Sequence, residues 1–227
     1  MCGRFVQFTV AEELHRALEA IPGLAPVTTD ARVLGPRYNI APTMPITALA
    51  LDDSGRTLSA AVRWGLVPHW ARSLPSTPYF NARAESWREK PTFRDARPCV
   101  IPMNGWYEWR DGTAHFVSRG AGDPIFTVAG LWDRWGDVVS ATIITTEAVG
   151  KLRELHPRMP RVLADDEVAA WLHSDGTGTI AQATADTQVG GLGLTSPELV
   201  AELHIRRADA AVGKVSNDGA YLLAQQD

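Results

Sequence analysis

The alternation of apolar and polar positions predicts a chain rich in short β-strands. Residues 45–66 form two such runs joined by an Asp-Ser-Gly turn. Further strands are predicted at 99–103, 106–110, 114–119, 125–132 and 138–146. Asp-Gly and Gly-Asp pairs between these runs are typical of hairpin turns. Because most predicted strands are followed by turns rather than helices, we expect a largely antiparallel sheet.

Helical periodicity is confined to short segments at the margins of this sheet. Residues 11–20 place Leu14 and Leu18 four positions apart behind acidic residues, a pattern typical of an amphipathic helix. Asp165 is predicted to cap a second helix over 166–173. Loops are predicted at 37–43, around Pro42, and at 175–179 and 190–197. We therefore expect an α+β fold in one domain covering residues 1–227.

Composition excludes several classes of protein. With 45% hydrophobic and 21% charged residues, the chain has the composition of a globular protein. It has neither an apolar run of the roughly 20 residues that span a bilayer nor a secretory signal, so we expect no membrane association and a cytoplasmic location. The two cysteines, Cys2 and Cys99, form neither a disulfide framework nor a metal site, and no cofactor is predicted.

Charge narrows the expected mode of nucleic-acid binding. The net charge of -4 argues against a protein coated with positive charge. Only three of its 22 basic residues are lysines, and the others are arginines, whose guanidinium groups suit bidentate phosphate contacts. Genomic base composition is an equally simple source of this bias. Any affinity for DNA must therefore come from a local cleft and fall steeply with salt.

Four motifs occur in a fixed order and carry more polar and aromatic residues than a core requires. They are MCGRF (1–5), NARAE (81–85), GWYEW (105–109) and HPRMP (156–160). This ordered set resembles the SRAP family (SOS response-associated peptidase, also described as abasic-site processing proteins). The resemblance is strongest over residues 1–165, with a weaker echo at 212–223, so family roles transfer poorly beyond residue 165.

The resemblance implies a fold and a function. Members of this family have a mixed, barrel-like β core flanked by helices. They lose the initiator methionine, bind single-stranded DNA and form a covalent thiazolidine with the aldehyde of an abasic site. The expected partner is thus single-stranded DNA carrying abasic sites, including junctions with double strands, with no obligate protein partner. Strand cleavage as an abasic-site lyase and autoproteolysis are further expected activities.

The first residues support this chemistry independently of the resemblance. A small second residue such as Cys2 permits removal of Met1. The α-amine then exposed has a pKa near 7.8 against about 10.4 for lysine, so about one in seven is neutral at pH 7 against about one in 2,500 lysines. Such an amine attacks an aldehyde to give a Schiff base. The neighbouring thiol can close a five-membered ring on the same carbon at high effective molarity.

Three further residues are predicted to act with Cys2. His156, left at a turn by Pro157, is the expected general acid that protonates the sugar ring oxygen. Glu108 lies among aromatic residues, which favours a raised pKa and proton transfer with the amine. Asn81 is expected to hold the sugar or the amine by hydrogen bonds.

DNA contacts are predicted from three kinds of residue. Arginines are expected to bind phosphates, Pro42 and Trp70 to stack on bases or wedge a junction, and two polar residues to line the site by their family position. The arginines are Arg4, Arg83 and Arg158, and the polar residues are Asn39 and Thr145. Other arginines, including Arg63, Arg161, Arg206 and Arg207, are interpreted as surface charge. Glu85 is expected to pair with Arg83 or to cap a helix.

Each of these residues also has a simpler structural interpretation, and other functions remain open. His156 fits a surface helix end, Glu108 a half-buried strand, and Trp64 or Trp70 a core. An N-terminal-nucleophile amidohydrolase, such as a glutamine amidotransferase domain, also begins with methionine and cysteine. A thiol peptidase using Cys2 and Glu108, and a non-catalytic binder of modified bases, complete the alternatives.

Overall fold

A computed structural model describes residues 2–24, 27–29, 34–120, 125–174 and 193–223. Within these ranges the strands are, in chain order, β1 (Arg4–Gln7), β2 (Val27–Thr29), β3 (Arg37–Ile40), β4 (Pro45–Leu51), β5 (Thr57–Trp64), β6 (Asn81–Arg83), β7 (Arg97–Met103), β8 (Gly105–Arg110), β9 (Thr113–Ser118), β10 (Phe126–Trp135), β11 (Val138–Glu147), β12 (Arg158–Pro160), β13 (Val162–Leu163) and β14 (His204–Arg207). The helices are α1 (Ala11–Glu19), α2 (Asp165–Leu172) and α3 (Pro197–Glu202).

Five of these strands close into a barrel. The order β11-β10-β7-β4-β5 is antiparallel throughout, and a parallel pairing of β5 with β11 joins the two ends. In this closing pair Arg63 lies opposite Ser140 and Trp64 opposite Ala141. The predicted α+β class with a mixed, mostly antiparallel, barrel-like core flanked by helices is confirmed.

A second sheet lies against the barrel and carries the start of the chain. Its order is β14-β9-β8-β1-β3, and all of its pairings are antiparallel. Phe5 from this sheet packs edge-on against Trp64 of the barrel, with ring centroids 4.8 Å apart. Cys2, Phe5, Trp64 and Trp106 therefore belong to one buried apolar cluster between the two sheets.

The hairpin predictions are confirmed, whereas the loop predicted at 37–43 is wrong in part. Asp52 caps the β4–β5 turn, since its carboxylate accepts hydrogen bonds from the backbone N–H groups of Ser54 and Arg56. Residues 37–40 form strand β3 because they pair with β1 in the second sheet, and only the following residues form a turn. A single strand at a sheet edge carries too short a pattern to be recognised alone.

The two predicted helices exist, with one correction at a cap. In α1, Leu18 is buried as the spacing predicts. In α2, Ala164 rather than Asp165 is the N-cap residue, and the Glu167 carboxylate accepts a hydrogen bond from the Ala164 N–H. The loop predicted at 175–179 and the first residues of that at 190–197 lie outside the described ranges. No helix among the described residues is long and apolar enough to cross a membrane.

One arginine expected at the surface is buried instead. Arg161 is 1% exposed, and its guanidinium pairs with Glu167 and donates to the Gly193 carbonyl. A buried cation requires this kind of compensation, because its desolvation is otherwise strongly unfavourable. The interpretation of Arg161 as surface charge is therefore wrong.

Candidate functional site

Cys2 lies just before the first residue of β1, Arg4, and is fully buried. Strand β1 pairs with β8 so that Arg4 lies opposite Tyr107 and Phe5 opposite Trp106. Continuing this antiparallel register toward the chain start brings the residues before Arg4 alongside Glu108. The Cys2 thiol lies 3.9 Å from the Arg4 carbonyl oxygen. The sheet thus fixes the start of the chain in the interior rather than leaving it at the surface.

Asn81 holds the backbone of Cys2. It lies on β6, which pairs in parallel with β11 opposite Ile143. Its amide Nδ2 donates a hydrogen bond of 2.8 Å to the Cys2 carbonyl oxygen. Its amide oxygen Oδ1 is buried and accepts no hydrogen bond from any residue that the structure describes. An acceptor left in this state beside Cys2 is suited to an N–H or O–H group that arrives with a ligand.

Glu108 supplies a buried carboxyl next to Cys2. It shares the inward face of β8 with Trp106, as the strand alternation predicts, and it is 4% exposed. Burial raises the pKa of Glu108, while the positive charges of the chain start and of His156 act in the opposite direction. The expected rise in pKa is confirmed in direction. A carboxyl whose pKa is raised in this way can both accept and return a proton.

The Cys2 thiol is kept in its neutral form. Burial is the largest cause of its raised pKa, and the Glu108 carboxylate raises the pKa further. The positive charge of the chain start and hydrogen bonding with the Arg4 backbone lower the pKa by less. Because the thiolate is the nucleophilic form of cysteine, this environment disfavours direct attack by the Cys2 sulfur.

His156 lies at the predicted turn, between a 3-10 turn at Gly150–Glu154 and strand β12. Its Nδ1 atom is 2.9 Å from the backbone nitrogen of Arg158 and 3.0 Å from the Arg158 carbonyl oxygen. A neutral Nδ1 can accept from the N–H, and a protonated Nδ1 can donate to the carbonyl. The Arg158 backbone therefore accommodates both protonation states of the ring, and a proton exchanged with a substrate would pass through Nε2.

The Arg158 side chain is held by protein groups. Its guanidinium forms two hydrogen bonds to the Glu85 carboxylate, of 2.5 and 2.9 Å, and donates to the carbonyl and hydroxyl oxygens of Thr145. Glu85 therefore pairs with Arg158, rather than pairing with Arg83 or capping a helix as expected. Thr145 itself is fully buried, so it supports Arg158 and does not present its side chain to DNA.

Arg83 and Arg4 have different environments although both were predicted to bind phosphate. Arg83 is exposed on the same side of β6 as Asn81. Arg4 instead donates from its guanidinium to the Asn39 side chain and to the Val212 and Gly213 carbonyls. The protein itself thus occupies the hydrogen-bonding groups of Arg4.

Asn39 is fully buried, which is inconsistent with its predicted contact to DNA. Its amide donates to three backbone carbonyls, those of Val212, Lys214 and Asn217. Asp218 adds hydrogen bonds to Arg37 and to the Tyr38 N–H. We call residues 212–218 the C-terminal clasp, since they fix β1 and β3 through these contacts. Asn39 is therefore assigned a structural role.

Trp70 and Pro42 occupy surface positions, whereas Trp64 does not. Trp70 is 53% exposed, and its indole nitrogen donates to the Pro91 carbonyl, which orients the ring. Pro42 is partly exposed and precedes Thr43, which adopts a left-handed φ of 80°. A β-branched residue rarely adopts that conformation, so the surrounding contacts must enforce it. Trp64 is fully buried, and the core interpretation holds for it.

Sequence reasoning missed two features of this region. The clasp lies in the segment where family roles were expected to transfer poorly. Apart from those of the Asp218 carboxylate, its contacts are made by backbone carbonyls, which leave no residue signature. Glu85 was noticed, but its partner lies 73 residues away in the chain. The spacing of Asn81 and Arg83 two residues apart in β6 was the available signal that these two lie on one side.

Comparisons with known proteins agree with the motifs. The model of the family described as SOS response associated peptidase (SRAP) matches residues 1–215. The abasic site processing protein YoaM of Bacillus subtilis is 33% identical over 190 residues, covering 78% of this chain and 81% of that protein. The abasic site processing protein YedK of Escherichia coli is 30% identical over 234 residues, covering 98% and 99%.

Solved structures support the fold. A protein from Bordetella bronchiseptica superimposes with a TM-score of 0.69 at 22% identity, covering 92% of this chain and 100% of that one. A phage-related protein from the same organism gives a TM-score of 0.64 at 23% identity, covering 91% and 93%. At this level of identity the likeness extends to the architecture alone.

Proposed function

Because this chain belongs to the SRAP family, we propose that it processes abasic sites in DNA and captures the damaged sugar covalently through Cys2. The relatives named above are abasic site processing proteins. Removal of Met1 would leave Cys2 with adjacent amine and thiol groups. The proposed product is a thiazolidine that links Cys2 to the former aldehyde carbon of the sugar.

The observation on which this proposal rests is the hydrogen bond that the Asn81 side-chain amide donates to the Cys2 carbonyl oxygen. A residue that served only to permit methionine removal would not need a buried side-chain amide to fix its carbonyl. Cys2 also lies beside Glu108, and the charge of His156 acts on the Glu108 carboxyl. Asn81 and Glu108, from two further chain segments, thus act on Cys2, and His156, from a third, acts on Glu108, which supports a reacting centre rather than a packing site.

The proposed reaction needs only proton transfers and one molecule of water released. His156 protonates the ring oxygen as the bond between C1′ and that oxygen breaks, and the C1′ hydroxyl loses its proton to water, so that the deoxyribose opens to its aldehyde. The Glu108 carboxylate takes a proton from the α-ammonium group, and the neutral amine adds to the aldehyde. Protonated Glu108 returns that proton to the resulting hydroxyl, which leaves as water and gives a Schiff base. The S–H group then adds across the carbon–nitrogen bond, with sulfur bonding to carbon and the proton going to nitrogen.

The state of the thiol favours this order of steps over the alternatives. An amidohydrolase or thiol peptidase attacks a carbonyl with a thiolate, and such cysteines normally have a lowered pKa. Here burial and the Glu108 carboxylate raise the pKa of Cys2. A neutral thiol can still close the ring because the carbon it attacks is already an electrophilic Schiff base held next to it.

DNA would reach this centre over the exposed residues around it. Arg83 is the proposed contact to a phosphate, while Trp70 and Pro42 are proposed to stack on bases next to the lesion or to wedge a junction. Arg158 could meet a phosphate only by sharing its guanidinium with Glu85. Single-stranded DNA is the proposed substrate, because an unpaired sugar can reach a buried cysteine without opening a duplex. Strand cleavage by β-elimination and removal of the protein's own Met1 are secondary parts of the proposal.

The test uses the full-length protein and a single-stranded oligonucleotide carrying one abasic site. Denaturing electrophoresis with intact-mass analysis should show a heat-stable adduct whose mass is the sum of the processed protein and the oligonucleotide less one water. Cys2→Ser keeps the amine but lacks the thiol, so it should form only a Schiff base that borohydride must trap. The Cys2→Ala variant should behave likewise.

Other outcomes identify the alternatives. Glutamine hydrolysis without an adduct would assign the chain to the amidohydrolases, and reversible binding without an adduct would leave a non-catalytic binder. A heat-stable adduct that persists in Cys2→Ala would contradict the proposed nucleophile.

A further inference from the structure

We infer that Glu85 is a positioning residue, which fixes Arg158 and through it holds the His156 ring in place for proton transfer. This inference rests on the proposed function, since it assigns a role in the same site. It concerns an interaction that the reaction steps above do not use. Its basis is a continuous chain of contacts from an exposed carboxylate to the ring nitrogen.

The first link joins Glu85 to Arg158. Both carboxylate oxygens of Glu85 accept hydrogen bonds from the two terminal nitrogens of the guanidinium. Such a paired geometry fixes orientation as well as distance. Burial alone would raise the pKa of Glu85, but the hydrogen bonds from Arg158 and the charges of Arg158 and Arg83 outweigh it and lower the pKa. Glu85 is therefore an anion at neutral pH, as the ion pair requires.

The second link joins Arg158 to the strand beneath it. The guanidinium also donates to the carbonyl oxygen of Thr145, at 2.5 Å, and to its hydroxyl oxygen, at 3.3 Å. Thr145 is fully buried on β11, the strand next to β12. The guanidinium of Arg158 is thus held both by Thr145 of the barrel and by Glu85. This leaves the backbone of residue 158 little freedom to move.

The third link joins the Arg158 backbone to His156. Both backbone polar groups of Arg158 lie within 3.0 Å of Nδ1, so the ring depends on that peptide in either protonation state. The charges of His156 and of the chain start act on Glu108 of β8, and the charges of Arg158 and Arg83 act on Glu85. The Glu85–Arg158 pair is joined to the ring by the hydrogen bonds between the Arg158 backbone and Nδ1.

The experiment replaces Glu85 with glutamine, which keeps the shape of the side chain and removes its charge. In Glu85→Gln we expect the single-turnover rate of adduct formation to fall by between about 10- and 100-fold, the effect of slightly misplacing a catalytic group. Affinity for an oligonucleotide with a non-reactive abasic analogue should stay within about twofold, since the contact to DNA is not removed. Glu147→Gln is the matched control, because Glu147 lies opposite Arg158 in the β11–β12 pair and is exposed. It should change neither quantity.

Two further measurements separate positioning from other roles. In the DNA-free protein, the ring ¹⁵N signals of His156 should show a hydrogen-bonded Nδ1 in the wild type and shift toward those of a free imidazole in Glu85→Gln. In an Arg158→Ala background, adding Glu85→Gln should slow the reaction no further, because Glu85 acts through Arg158.

Several results would overturn the inference. Tighter DNA binding and a faster reaction in Glu85→Gln would mean that Glu85 only competes with phosphate for Arg158. An equal loss in Glu147→Gln would indicate a general charge effect. If the wild type formed no adduct at all, the proposed function would fail, whereas the ¹⁵N signals would still decide whether Glu85 positions His156.

Discussion

The two cysteines of this protein are both buried, yet their surroundings differ in kind. Cys99 lies on β7 inside the barrel, opposite Gly130 of β10, where an added Cβ would come within 2.9 Å of its sulfur. Burial is the only cause of its raised pKa. Cys2 is equally buried, but charged groups act on its pKa. The backbone carbonyl of each cysteine accepts a side-chain hydrogen bond, from Asn81 at Cys2 and from the Trp171 indole at Cys99, so the charged surroundings make the difference.

This difference teaches that burial does not decide whether a thiol is structural. At Cys99 apolar packing leaves no group to move a proton, so the thiol behaves as a small hydrophobic side chain. In the reaction proposed for Cys2, the same burial would exclude water while a Schiff base forms and is consumed. Glu108 and His156 would then carry protons in place of the solvent. The predictions below are arranged by how strongly they test this contrast.

The largest effect is expected from replacing each of the two cysteines in turn with alanine. In Cys2→Ala the yield of heat-stable adduct should fall by more than about 1,000-fold, because ring closure loses its intramolecular thiol. In Cys99→Ala the yield should stay within about twofold, while the free energy of unfolding falls by about 1–3 kcal/mol through lost packing. Quantitative gel analysis and urea denaturation measure the two quantities. A reactive role for Cys99 would appear as an adduct in Cys2→Ala.

Glu108→Gln should separate reaction rate from stability. Losing the proton carrier should slow adduct formation by about 10²–10⁴-fold. The pKa of Glu108 is raised in the fold, so the wild type loses stability as pH rises from the unfolded pKa of about 4.3 through the folded value. Glutamine does not ionise, and the variant should therefore have the higher Tm at pH 7 and lose this advantage below about pH 4. A lower Tm at pH 7 would mean that the ionised carboxylate stabilises the fold.

Substitutions of Asn81 test the importance of its hydrogen bond to the Cys2 backbone. Asn81→Ala should slow adduct formation by between about 10- and 100-fold, equivalent to about 1.4–2.7 kcal/mol, since the hydrogen bond to the Cys2 carbonyl is lost. Asn81→Asp keeps the acceptor and removes the donor, so comparing the two variants shows which half of the amide matters. Equal rates for wild type and both variants would remove Asn81 from the site.

The smallest effect is expected from the two arginines. Arg83→Ala should weaken binding to single-stranded DNA and reduce the slope of log affinity against log salt by about 0.7, the value for one phosphate contact. Arg4→Ala should leave that slope unchanged and instead lower the Tm, because its guanidinium holds the C-terminal clasp. Fluorescence anisotropy at several salt concentrations checks both. A reduced slope in Arg4→Ala would restore its predicted contact to phosphate.

The strands of the barrel could be predicted because the sequence pattern that specifies each strand or turn lies within one short stretch of the chain. Strands β4 and β5, for example, are neighbours in the chain, and their alternation and the Asp52 turn lie in one continuous stretch. The closing pair of β5 with β11 joins residues almost 80 positions apart, and no local pattern specifies it. Strand β3 was missed for the same reason, since its pairing with β1 exists only in the assembled sheet.

The site was predicted as a set of residues but not as an arrangement. Motif order identified Cys2, Asn81, Glu108 and His156, and the alternation in β8 placed Glu108 with Trp106 on the inward face. Which arginines meet solvent did not follow from residue type. Burial and partners far along the chain give Arg4 and Arg161 internal roles, while Arg83 remains exposed.

The C-terminal clasp also determines when, during synthesis of the chain, β1 can form its last contacts. The Arg4 side chain bonds to a carbonyl that lies 208 positions later in the chain. At ribosomal speeds of about 5–20 residues per second, that carbonyl emerges roughly 10–40 s after Arg4. Throughout this interval β1 lacks the contacts of Arg4 to residues 212 and 213. In the proposed function, removal of Met1 during this interval would precede the completion of the contacts that fix β1.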